Sequence, residues 1–198
     1  MRRLALLVPA VLCLAGSAPA QEWQIDGAHS AAQFSVRHLM VTTVRGQFGK
    51  ISGSAVYDPA NVAKSSIVAE VQVDSIDTRE PKRDAHLKSA DFFDAAKYPT
   101  VRFQSKSVEP GGAGRFKLIG DLTIRGVTRQ VAFDVEGLAT PIKDGRGGER
   151  TGATASTKIS RKDFGMTWNR ALEAGGVTVS DEVALMIDLE LVRKLAAN

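Results

Sequence analysis

Residues 182–191, EVALMIDLEL, carry a large aliphatic side chain at every second position. Val183, Leu185, Ile187, Leu189 and Leu191 fall on one side, with Glu182, Asp188 and Glu190 on the other. A period of two is the signature of a strand with one buried face, because successive strand side chains point to opposite sides of a sheet. The same pattern recurs in IVAEVQV at 67–73, which aligns Ile67, Ala69, Val71 and Val73, and in RFKLIGDLTI at 115–124. Phe34, Val36 and His38 share a phase, as do Val101 with Phe103, and Val131 with Phe133 and Val135. With 43–57 and a small-residue strand near 149–160, about eight strands are expected.

Turn chemistry separates them: Asp58-Pro59, Pro110-Gly111-Gly112, Arg125-Gly126, and Lys143-Asp144-Gly145 with Gly147-Gly148. Links this short join antiparallel neighbours, since parallel strands need long crossovers. A chain with alternation in every strand closes as a barrel or stacks as a sandwich. Small residues at inward positions, such as Ala32, Ala69, Gly120, Gly137, Ala153 and Ala155, favour a barrel with a cavity over a sandwich filled by large side chains. One segment departs from the strand pattern. RDAHLKSADFFDAAKY at 83–98 predicts a short helix over 82–90, followed by the paired rings of Phe92 and Phe93.

The first twenty residues have the order of a secretory leader. Arg2 and Arg3 precede an apolar run from Leu4 to Gly16, and Ala18-Pro19-Ala20 is a small-x-small cleavage site. The mature chain is expected to begin at Gln21 and to form one domain over 21–198. Cys13 is the single cysteine of the 198 residues and leaves with the leader, so neither a disulfide nor thiol chemistry is expected. Losing Arg2 and Arg3 also takes two charges from a formal net of +4, and no basic stripe remains to suggest nucleic acid as a partner.

Enzymatic constellations are missing from the sequence pattern. GKISGSAVY contains Gly-Ser-Ala but no nucleophile elbow, and Asp84-Ala85-His86 sets an acid near an imidazole with no nucleophile beside them. No catalytic residue is assigned. His29, His38 and His86 stand far apart with none at metal-ligand spacing, so no metal site is expected. His38 shares its phase with apolar neighbours and requires a polar partner inside. A backbone carbonyl is the plainer choice and a ligand oxygen the other. Trp168, in DFGMTWNRALEAGG, belongs to a long connection before the last strand. The plainer reading makes it a core residue corking the barrel base. The functional one sets it, with Met166, against a ligand or at the other mouth.

Five stretches in this order carry a resemblance: DGAHSAAQFSVRHL at 26–39, GQFGKISG at 46–53, RDAHLKSADFFDAAKYPTVRFQS at 83–105, GDLTIRGVT at 120–128 and DFGMTWNRALEAGGVTVSDEVAL at 163–185. The chain resembles the YceI-like family of bacterial periplasmic proteins over its whole mature length. The resemblance implies an all-β, eight-stranded antiparallel lipocalin-like barrel with one short helix over an opening. It implies a long-chain isoprenoid, prenyl quinone or similar amphiphilic lipid held inside, in the periplasm, with no other cofactor. The expected wall of that site is Phe34, Val36, His38, Phe48, Phe103, Phe116, Leu118, Phe133, Trp168 and Ile187. Arg83, His86 and Lys88 are the candidates for a headgroup, provided the helix turns them inward; otherwise the helix only plugs the barrel end. A homodimer and a transient membrane contact are compatible with this reading. The competing expectation is a filled barrel that acts in envelope stress or adhesion through its outer surface.

Overall fold

The computed structural model describes residues 21–58, 61–112, 114–138, 140–173 and 175–194. The leader expected over 1–20 lies outside the described residues. The described residues form twelve strands: β1 (Gln21–Ile25), β2 (Ala31–His38), β3 (Thr42–Phe48), β4 (Ile51–Tyr57), β5 (Ser66–Gln72), β6 (Ile76–Asp77), β7 (Thr100–Gly112), β8 (Arg115–Ile124), β9 (Val127–Gly137), β10 (Ile142–Lys143), β11 (Gly148–Ser160) and β12 (Val179–Lys194). Helix α1 (Pro81–Lys88) lies between β6 and β7.

These strands make eight staves. β1 and β2 lie end to end along β12, with Gln24 opposite Val192 and Ala31 opposite Asp188. β4 and β3 pair with β1 and β2 respectively, and β5 and β6 pair with β4 and β3. The remaining staves follow in chain order, β7, β8, β9 and β11, and β12 closes the ring against β11 from Gly148–Lys194 to Ser160–Glu182. The result is an eight-stranded antiparallel barrel of up-and-down connection, which leaves few free edges.

Three neighbouring staves break at the same height. Gly49 N–H donates to the Ser75 carbonyl at 3.2 Å, Lys50 N–H to Ser75 Oγ at 3.1 Å, and Gln72 N–H to the Lys50 carbonyl at 3.0 Å. Val73, whose alternation predicts strand, therefore sits in a 3-10 turn over Val73–Ser75, although its side chain is buried as expected. Pro110-Gly111-Gly112 likewise is not a turn: β7 runs through it, and the proline is absorbed at a bulge between Pro110 and Gly112. The Arg125-Gly126 turn is as expected, with φ of 52° and 73° in the two-residue hairpin between β8 and β9.

The helix starts one residue earlier and ends two residues earlier than the predicted span of 82–90. Glu80 caps it by accepting from Lys82 N–H at 3.0 Å, Pro81 supplies a preset first turn, and Ser89 leaves helical geometry. Thr78 welds the helix to β6: its hydroxyl donates to Asp84 Oδ1 at 2.5 Å and accepts from Arg83 Nε at 2.7 Å.

Inside, small residues make room for rings. A Cβ on Gly120 would lie 2.6 Å from the Phe103 ring, and one on Gly46 would lie 2.4 Å from that of Phe34. Phe103 then stands edge-on to Phe133 with centroids 5.2 Å apart. The barrel end opposite α1 is sealed by Trp23, which is fully buried, with the Arg193 guanidinium 4.9 Å above its ring and paired to Glu149. The base cork expected of Trp168 is thus supplied by Trp23.

Candidate functional site: an apolar cavity roofed by two connections

The barrel encloses a cavity of about 360 Å³. Its wall is drawn from every stave and is overwhelmingly apolar, running from Val36, Val44 and Ile124 at the α1 end to Ile67, Leu118 and Phe133 deeper down. Of the small residues expected inward, Ala32, Ala69 and Ala155 are in that wall, whereas Gly120, Gly137 and Ala153 are not. Of the expected lining residues, Phe34, Val36, His38, Phe48, Phe103, Leu118, Phe133, Trp168 and Ile187 all face the cavity. Phe116 does not. It lies at the start of β8, near the closed end, and packs against the cluster of Val108, Phe133 and Val135.

Two connections roof the other end. The first is α1 with the segment up to Thr100, which contributes Arg83, His86, Leu87, Phe92 and Phe93 to the cavity wall. Phe93 meets Phe48 edge-on at 5.6 Å. The second is the connection between β11 and β12, which contributes Arg161, Met166, Trp168 and Thr178. The rings of His86, Phe92 and Trp168 join the two, with centroids 5.0–5.3 Å apart. Arg125 bolts them from outside, donating to the carbonyl oxygens of Ala90, at 2.8 Å, and Gly165. Trp168 is therefore part of the roof above the cavity. This differs from the base position that the sequence favours, because a ring in a long loop carries no sign of which end the loop crosses.

Six polar side chains of the wall gather at this roofed end, His38, Thr78, Arg83, His86, Arg161 and Thr178; the seventh, Gln33 in mid β2, is engaged with Asp188 at 3.0 Å. Arg83 commits Nε and Nη2 to Thr78, at 2.7 Å and 2.6 Å, which leaves Nη1 toward other partners. His86 binds Asp91 through Nε2 at 2.8 Å. No hydrogen-bond partner is formed by the His38 ring among the described residues, so the backbone carbonyl expected for it is not supplied. Lys88 is absent from the cavity wall, although His86 in the same last turn of α1 is part of it.

Arg161 was not singled out by the sequence, and it organises the second connection. Only 3% exposed, it donates from Nε to the Ser180 carbonyl at 3.0 Å and from Nη1 to the carbonyls of Met166 and Trp168 at 2.7 and 2.8 Å. Its Nη2 reaches Asp181 at 3.1 Å. Burial pushes its pKa down and Asp181 opposes that shift. An inward arginine at the end of a strand of small residues gives no periodic signal, so only the fold reveals it.

A separate charged group sits on the outer wall. Asp26, His29 and Glu190 bring donor atoms within reach of one another, but Arg150 Nη1 is 2.7 Å from Asp26 Oδ2 and also contacts Glu190. The guanidinium supplies the cation there. Hydrogen bonds from His29 and Arg150, then from the Ala28 N–H, hold the Asp26 carboxyl well below the usual carboxylate range.

Fold and cavity together define a lipocalin-like barrel whose interior suits one elongated apolar guest. The YceI-like domain matches residues 23–191, and the chain belongs to that family. A UPF0312 protein of Vibrio cholerae is 39% identical over 165 residues, covering 82% of this chain and 87% of its own. The crystal structure of the Campylobacter jejuni YCEI protein superposes with a TM-score of 0.68 at 32% identity, over 80% of this chain and 90% of that one. A polyisoprenoid binding domain from Saccharophagus degradans shares the fold with a TM-score of 0.60 at 14% identity, over 85% of this chain and 97% of that one.

Proposed function

We propose that the protein binds the apolar chain of an isoprenoid, prenyl quinone or related amphiphilic lipid in its barrel and carries it in the periplasm, without covalent chemistry. The observation behind this reading is the distribution of polarity in the cavity. The wall is apolar along the barrel except for Gln33, which is engaged with Asp188, and its other hydrogen-bonding side chains collect at the roofed end. That asymmetry matches an amphiphile lying lengthwise with its head beneath the roof. The volume of about 360 Å³ falls within the range of small-molecule pockets, roughly 300–1,000 Å³. Each buried methylene is worth about 0.8 kcal/mol, so affinity would come from the tail. Specificity would come from His38, the free amino group of Arg83 and His86. Family membership supports the reading, as does the ligand class named for the Saccharophagus degradans domain.

The test is extraction of protein purified from its native envelope without detergent, followed by lipid mass spectrometry. A stoichiometric polyprenyl species is expected. Protein that carries no lipid, and that refuses added prenyl quinones and polyprenyl phosphates, would overturn the carrier reading in favour of action through the outer surface.

A further inference from the structure

The hairpin between β2 and β3 breaks two rules within the same three residues, backbone geometry at two of them and exposure at all three. Leu39 and Met40 occupy its centre with φ of 49° and 60°, and Val41 N–H donates back to the His38 carbonyl at 3.0 Å. Positive φ at both central positions is type I′ geometry, which Asn-Gly adopts readily and bulky side chains do not. The same residues then hold their side chains in solvent: Leu39 is 39% exposed, Met40 51% and Val41 75%. Unfavourable backbone and unfavourable exposure at one point argue for a use outside folding.

Position supplies the use. His38, immediately before the tip, is in the cavity wall, as is Val44 just after it. Leu39 N–H donates to the Thr178 carbonyl at 2.8 Å, and Thr178 N–H donates to the Arg170 carbonyl at 3.0 Å. Arg170 in turn stands over the Trp168 ring at 5.9 Å. The apolar tip is thus continuous with the roof. Two cations flank it. Arg170 is one, and the other is the exposed Arg37, whose guanidinium braces the turn through the Met40 carbonyl at 2.8 Å and Thr43 Oγ1 at 3.2 Å. Three side chains fall far short of the roughly 800 Å² per partner that a stable protein interface needs. A bilayer interface asks only for a shallow apolar insertion with basic residues at headgroup level.

We propose that Leu39, Met40 and Val41 form a docking finger that dips into an anionic bilayer surface and sets the roofed end of the cavity against it, so that lipid passes between membrane and barrel without crossing water. This rests on the carrier reading above. Insertion of three residues gives weak, reversible attachment, which suits a shuttle.

The experiment compares the mature full chain with the L39N/M40G/V41T variant, whose Asn-Gly pair is the one this turn prefers, so folding is retained and Tm holds or rises. Partitioning onto vesicles of phosphatidylcholine with phosphatidylglycerol is measured by flotation, and transfer of a fluorescent prenyl quinone from those vesicles is timed. The variant is expected to partition about tenfold more weakly and to accept the quinone more slowly. Quinone delivered as dilute monomer should bind both proteins to equal stoichiometry. Equal vesicle partitioning by both proteins overturns the finger. So does a wild type that self-associates through the tip and ignores vesicles. Failure of both proteins to bind monomeric quinone, with the partitioning difference intact, would sink the carrier reading and leave the finger standing.

Discussion

The rings of His86 and Trp168 meet edge-on, with centroids 5.0 Å apart and planes at 89°. One ring belongs to α1 and the other to the connection ahead of β12, so their contact converts two separate crossings into one roof. Phe92 completes the group, 5.3 Å from Trp168. Aromatic pairs of this geometry are worth about 0.5–1.5 kcal/mol each beyond their burial. The Trp168→Ala substitution should therefore loosen the roof while leaving the barrel intact. A bound prenyl quinone should dissociate roughly tenfold faster, since weakened contacts appear mainly in off-rates. Stopped-flow release into excess vesicles would check this, with Trp168→Phe intermediate.

Arg161 holds the backbone of that same connection. Its guanidinium serves three carbonyl oxygens and Asp181, and a lysine amino group cannot reach all four. The Arg161→Met substitution fills the space but orphans the acceptors of Met166, Trp168 and Ser180. Removing one partner from a buried ionic network costs about 3–5 kcal/mol, and the half-exposed Asp181 places this case at the lower end. Urea denaturation should show that loss, with Arg161→Lys recovering only a minor part. Amide exchange at Thr178, whose N–H is bonded within the connection, should rise in both variants.

Much of this barrel was legible in its alternation, because a half-buried strand writes its burial into a period of two. The inward phase of Phe34, Phe103, Leu118 and Ile187 follows directly, and so does their place in the cavity wall. Phe116 shows the limit: phase says inward, but position along the stave decides between cavity and closed end. Tertiary breaks were equally hidden. Val73 leaves the strand because Ser75 takes the Gly49 and Lys50 N–H groups where the neighbouring stave breaks, a relation that no local pattern encodes. Lys88 and His86 share one short helix, and spacing alone did not tell which would face the opening. Arg161 and Trp23 are single residues whose roles come from what closes around them.

The alanines in the wall offer a separation of folding from binding. Ala69 and Ala155 both face the cavity, where larger side chains would enter space rather than displace neighbours. The Ala69→Leu and Ala155→Leu pair should leave stability within about 1–3 kcal/mol of the wild type, the range of tolerated core enlargement. Prenyl quinone binding should fall to background. Calorimetric titration alongside thermal unfolding distinguishes this from collapse of the barrel.

Trp23 should matter to stability and not to the roof. It is fully buried at the closed end, and its Nε1 has no hydrogen-bond partner among the described residues. The Trp23→Ala substitution should cost about 3–5 kcal/mol in chemical denaturation. The Trp23→Phe substitution should cost much less, because no hydrogen bond is lost with the indole N–H.

The outer-wall cluster predicts an acid limit. Asp26 is held ionised by His29, Arg150 and the Ala28 N–H, so its folded pKa lies below that of the unfolded chain, about 3.9. Its stabilising contribution is complete above that unfolded value and is lost as pH falls below it toward the folded one. The unfolded state then binds the proton that the native state refuses. The Tm of the wild type should therefore decline between about pH 4 and pH 2 more steeply than that of Asp26→Asn, which starts lower at neutral pH and has no carboxyl to titrate. Parallel declines in the two proteins across that range would show that other carboxylates, not Asp26, set the acid limit.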